Sequence, residues 1–144
     1  MARGKTMVMA AALLACLGAS ASVAADMGRF DGKWDATLAC PKGPDGVELF
    51  TWEFRAEVRN SVLHGEHGTA GQPAWMSLDG SIGDDGVADL LAKGLTGLAD
   101  YNLNHTGRGV PWQHPVTARF EAARGKGHWV APRTCEFTFV RVKP

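Results

Sequence analysis

The chain has 144 residues, and its 15 lysines and arginines balance its 15 aspartates and glutamates, so the formal net charge is zero. With no basic excess and no basic cluster, it lacks the electrostatic footprint of a nucleic-acid binder, and nothing draws it to an anionic lipid surface.

Arg3 and Lys5 precede an uncharged stretch from Met7 to Gly18, and Val23-Ala24-Ala25 offers small residues just before the first acidic residue, Asp26. This is the order of a secretory signal peptide over 1–25, with an exported domain, periplasmic or secreted, over 26–144. The strongly apolar part is too short for a stable membrane span. Leu13-Leu14-Ala15-Cys16 offers the alternative of a lipoprotein box with Cys16 lipidated. Against it, the apolar run continues past Cys16 and a better ordinary cut lies downstream. Cleavage after Ala25 removes Arg3 and Lys5 and leaves 119 residues with 13 basic and 15 acidic side chains, a net charge of −2. Two cysteines remain, Cys40 and Cys135, and an oxidising compartment would join them.

The exported part alternates apolar and polar residues between glycine-rich turns, the pattern of a β-meander. Trp34, Ala36, Leu38 and Cys40 share one face of a first strand. Phe50, Trp52, Phe54, Ala56 and Val58 share one face of a second. Asn60-Ser61 suits a two-residue hairpin turn, since asparagine tolerates positive φ. That turn pairs Val58 with Leu63, Ala56 with Gly65 and Phe54 with His67 inside, and Glu57 with His64 and Arg55 with Glu66 outside. Residues 74–82 read as a strand with Met76, Leu78 and Ile82 on one face, followed by a turn at Gly83-Asp84-Asp85-Gly86. Residues 87–94 read as a strand, with two helical turns as the alternative. The segment 95–115 is broken by glycines, asparagines, histidines and two prolines, and is expected to be a long loop with a short strand near Tyr101. Val116, Ala118 and Phe120 then alternate; Gly125-Lys126-Gly127 is expected to turn the chain into 128–131. The last strand puts Cys135, Phe137, Phe139 and Arg141 on one face.

About eight antiparallel strands joined mainly by tight turns predict an all-β, up-and-down barrel, because closure removes the exposed edges of an open meander. A register that sets Cys40 opposite Cys135 also sets Trp34 opposite Arg141 on the inner face, a cation over an indole. Gly32-Lys33-Trp34 at the start of strand one, with a facing arginine on the last strand, resembles the closure of lipocalins and related calycin barrels. The chain departs from lipocalins in being short, in having no room for a C-terminal helix and in lacking a Thr-Asp-Tyr type of motif. In size it is closer to avidin-like barrels and to small periplasmic barrel inhibitors of proteases. As a whole it resembles uncharacterised small exported bacterial proteins. These resemblances imply a fold class and no activity.

No catalytic signature is legible. Ser77 and Ser81 lie in ordinary strand sequence, and oxidised cysteines are not nucleophiles. His64-Gly65-Glu66-His67 has tempting metal spacing, but in a strand residues three apart face opposite ways. His105, His114 and His128 have no supporting spacing, and Asp84-Asp85 reads as a turn, so no metal or cofactor is expected. The inward set mixes small residues with aromatics, and an eight-stranded barrel is near the size at which its interior is either filled or holds one small ligand. Candidate ligand contacts are His67 and Arg141 as polar groups facing inward, Trp34 and Trp52 beside them, and Tyr101, Asn104 and Trp112 in the long loop. The leading expectation is a non-enzymatic binding barrel for a small, largely apolar molecule. The alternative is a protein-binding module, such as an inhibitor of a periplasmic enzyme, acting through the arm Asp26–Asp31 or the 95–115 loop.

Overall fold

The computed structural model describes residues 28–130 and 132–144. The expected signal peptide over 1–25 and the alternative lipoprotein box at Cys16 therefore lie outside the described residues. Eight strands form one closed barrel in simple sequential order: β1 Gly32–Cys40, β2 Phe50–Arg59, β3 Val62–His67, β4 Met76–Ile82, β5 Val87–Leu95, β6 Pro111–Phe120, β7 Arg124–Trp129 and β8 Cys135–Arg141. Every neighbouring pair is antiparallel, including the closing pair β1 and β8.

The registers expected from turns and cysteines are found, except that the β2–β3 pairing ends at Arg55 and Glu66, short of Phe54 and His67. Asn60 and Ser61 have φ of 50° and 64°, the left-handed values a primed turn requires. Val58 faces Leu63, Ala56 faces Gly65, and Glu57 faces His64. Cys40 and Cys135 form a disulfide across 95 residues. In the same register Trp34 lies opposite Arg141, whose guanidinium carbon stands 5.1 Å from the indole.

Alternation decides the rest. Residues 87–95 are strand throughout, because Ala88, Leu90 and Ala92 turn inward in step and bury completely or nearly so, whereas a helix would split that set. Two expectations fail. The turn after β6 is at 121–123, so Gly125 and Gly127 are interior positions of β7. A Cβ at Gly125 would come within 2.9 Å of the Phe120 ring, so glycine here makes room for an aromatic rather than a bend. The irregular segment is also shorter than expected: β6 begins at Pro111, and Tyr101 ends a 3₁₀ turn instead of a strand. Residues 111–116 pair with β5 alone, since β7 reaches only to Thr117, and an antiparallel strand open on one side tolerates proline.

The barrel has two unlike ends. At one lie the turns β2–β3, β4–β5 and β6–β7 and the segment 28–31; at the other lie the loops 41–49, 68–75, 96–110 and 130–134. The first end is filled. Phe30, Trp34, Phe120, Phe137 and Phe139 are at most 2% exposed, with Trp34 edge-on to Phe120 at 5.2 Å. Trp34 Nε1 donates to the Phe30 carbonyl at 3.0 Å. Asp31 accepts the amides of Asn60 and Ser61 at 2.8 and 3.0 Å. Arg141 donates to the carbonyls of Ala122, Arg29 and Asp31. The described part of the N-terminal segment is thus a plug sealed to the barrel, and not a free arm.

Candidate functional site

At the opposite end the interior opens into a cavity of about 490 Å³. Its walls come from five strands that begin or end there, with Leu95 of β5 and Cys135 of β8 beside the larger side chains of the other three. β2 brings Phe50 and Trp52, β6 brings Trp112 and His114, and β7 brings Trp129. Trp112 and Trp129 pack edge-to-face at 5.5 Å, with the His114 ring 4.9 Å from Trp129. The space exists beside these large side chains partly because of Gly94. A Cβ there would collide with the Trp75 carbonyl and approach the Trp112 ring to 2.9 Å.

The loop 96–110 roofs the cavity, contributing Leu98, Tyr101, Asn102, Leu103, Asn104 and Thr106 to the lining. It is a closed unit of its own. Thr96 ties its two ends: its amide donates to the Val110 carbonyl, its carbonyl accepts from Gly109, and its hydroxyl accepts from the Val110 amide at 2.8 Å while donating to Gly107. Inside the loop, Asn102 Nδ2 donates to the carbonyls of Gly97 and Thr106 at 2.9 and 2.7 Å. Four hydrogen bonds fasten this lid to its neighbours, one of them from the Ala74 amide to the Thr96 carbonyl. The Glu48 amide donates to the Asp100 carbonyl, the Asn104 amide donates to the Asp45 carboxylate, and Arg133 donates to the Tyr101 carbonyl at 2.7 Å. The Asn104 amide holds the exposed Asp45 carboxyl below its ordinary range.

Arg133 is the charged group of the site. It is 7% exposed, lines the cavity, and sits 5.1 Å from the Phe50 ring. Besides Tyr101 it donates to the carbonyls of Pro41 and Glu48 at 3.2 and 3.0 Å, joining three loops of the open end. Burial pushes its pKa down, opposed by the charge of Asp45. Burial also lowers the pKa of His114, which favours its neutral ring.

Four of the candidate contacts meet here: Trp52, Tyr101, Asn104 and Trp112 all line the cavity. Trp112 does so from a strand, not from the loop. His67 is half-buried behind the wall, its ring stacked on Trp52 at 4.3 Å and its Nδ1 donating to the Ala74 carbonyl at 3.0 Å. Trp34 and Arg141 are at the filled end and do not line the cavity; the plug and the β6–β7 turn take three of the five Arg141 N–H groups. Arg133 is not among the contacts expected from the sequence. It shares the inward parity of Cys135, Phe137 and Phe139, one step further towards the open end, and that parity was the available signal.

On the outer face His64 and Glu57 are strand partners as expected, but the His64 ring contacts the Asp79 carboxylate while Arg59 holds the Glu57 carboxylate. His64 and His67 face opposite ways, and His105, His114 and His128 stand on the lid, the inner wall and the outer face of β7. Among the described residues, no three histidine, cysteine or acidic side chains are placed to hold a metal ion, and no helix is long and apolar enough to cross a membrane. Comparison of the chain with protein-family models, curated proteins and solved structures returned no match.

Proposed function

We propose that this is an exported, calycin-like binding protein that holds one small, largely apolar molecule at the lidded end of its barrel, and that it is not an enzyme. The observation that carries the reading is the cavity itself. A barrel of this size is filled when its interior is all core; here one half is filled by five large aromatics and the other is left open. Tryptophan, phenylalanine and leucine supply the large apolar side chains of the wall, and most of the polar ones come from the lid, as in a site that encloses an apolar body and orients it at one end. Export agrees with the signal-like N-terminus and with the disulfide, which is compatible with an oxidising compartment.

The test is a titration with the neutral fluorophore N-phenyl-1-naphthylamine, read by its blue-shifted emission. Saturation at one molecule per chain is expected. Leu95→Trp, which adds an indole to the wall, should abolish saturation while the unfolding midpoint stays near that of the native protein. Emission that climbs without saturating, or that ignores Leu95→Trp, would overturn the reading.

A second reading has one observation in its favour. Leu49, Leu98, Tyr101, Val110 and Val130 are large, exposed and apolar, and all stand on loops or strand edges of the open end. Such a rim suits docking against another protein of the same compartment. That reading predicts loss of partner capture in Leu49→Lys, which is exposed and outside the cavity lining, with fluorophore binding unchanged.

A further inference from the structure

We infer that the occupant of the cavity is an anion: a small, ring-bearing apolar body with one carboxylate, for which Arg133 is the charge partner. This rests on reading the cavity as a ligand site and says what kind of molecule that site takes.

The first observation is an imbalance of charge. Arg133 is almost wholly buried, yet among the described residues no carboxylate lies within 4.0 Å of its guanidinium. Its three acceptors are neutral backbone carbonyls. Asp45, the acid whose charge reaches it, is exposed and already accepts the Asn104 amide. No aspartate or glutamate lines the cavity. A buried charge without a counter-charge is costly, so an anion entering from solvent regains what desolvation removed.

The second observation is spare hydrogen-bonding capacity. An arginine carries five N–H groups, and the Pro41, Glu48 and Tyr101 carbonyls occupy three. The Nε–H and one Nη2 hydrogen have no acceptor among the described residues. His114 likewise has no hydrogen-bond partner there, and its neutral ring can donate one further N–H to an oxygen. Guanidinium donors recognise carboxylate oxygens in short, charge-assisted bonds.

A cationic guest is the natural rival, because tryptophan walls attract cations. Arg133 opposes it: the Phe50 face is already covered by the guanidinium, and a second cation would enter beside a buried positive charge. The aromatic walls then serve the guest's ring by stacking and burial, while the charge is read at the Arg133 side.

The experiment compares two guests of one shape on the native protein: 2-naphthoate and its neutral amide, 2-naphthamide, each titrated by quenching of tryptophan emission at neutral pH. The carboxylate should bind about tenfold to a hundredfold more tightly, the scale of one charge-assisted hydrogen bond in a desolvated site. In Arg133→Met the ratio should fall to about one; if that variant does not fold, the native pair alone decides. Equal binding, or tighter binding of the amide, overturns the anion and leaves the cavity reading standing. Binding of neither overturns both.

Discussion

Trp34 and Trp112 have the same side chain and the same inward parity, but opposite situations. Trp34 is fully buried among Phe30, Phe120 and Arg141, with its indole N–H satisfied. Trp34→Ala should therefore cost about 3–5 kcal/mol, as for other buried large aromatics. Trp112 is half-buried against the cavity, so Trp112→Ala should cost less, about 1–3 kcal/mol, and weaken fluorophore binding. Denaturant midpoints of the two variants check the order. His114 adds a dependence on pH. Its folded pKa is pushed by burial below the ordinary 6.5, so the unfolded chain takes up the proton first as pH falls. Stability is complete above about 6.5 and declines below it. His114→Gln should flatten the decline between neutral pH and about pH 5, measured by denaturant midpoints at both.

The 96–110 lid is the element on which function turns. At its centre Asn102 satisfies two carbonyls that no backbone amide reaches from inside the loop. Asn102→Ala should speed amide exchange across 97–107, leave the barrel amides protected, and loosen fluorophore binding; hydrogen-exchange mass spectrometry separates the two regions. The lid also marks where sequence reading reached its limit. Strands with strict alternation, such as Phe50–Arg59 and Cys135–Arg141, were legible residue by residue, down to the pairing of Trp34 with Arg141. The start of β6 was not, because Pro111 and Pro115 masked a period of two that runs on from Val116 through His114 to Trp112. Arg133 and the 3₁₀ turns of the lid depend on contacts between loops far apart in the chain, and no local pattern encodes those.

In the whole molecule, filled and open ends divide the labour. The sealed end supplies most of the aromatic core, and the disulfide clamps β1 to β8 beside the cavity, where no filled core does so. Replacing both cysteines with alanine should cost about 2–5 kcal/mol, with the larger share of new amide exchange at the open end. The central claim is that a ligand enters that end alone, and the five tryptophans report on it separately. Trp52, Trp112 and Trp129 line the cavity, Trp34 is in the sealed core, and Trp75 lies against the outer groove with His64 and Asp79. The most direct measurement is a titration of the indole N–H resonances in a ¹⁵N-labelled sample with N-phenyl-1-naphthylamine. The signals of Trp52, Trp112 and Trp129 should shift together and saturate, while those of Trp34 and Trp75 stay in place. Movement of Trp34 or Trp75 without the other three, or no saturable shift in any of the five, would contradict the account.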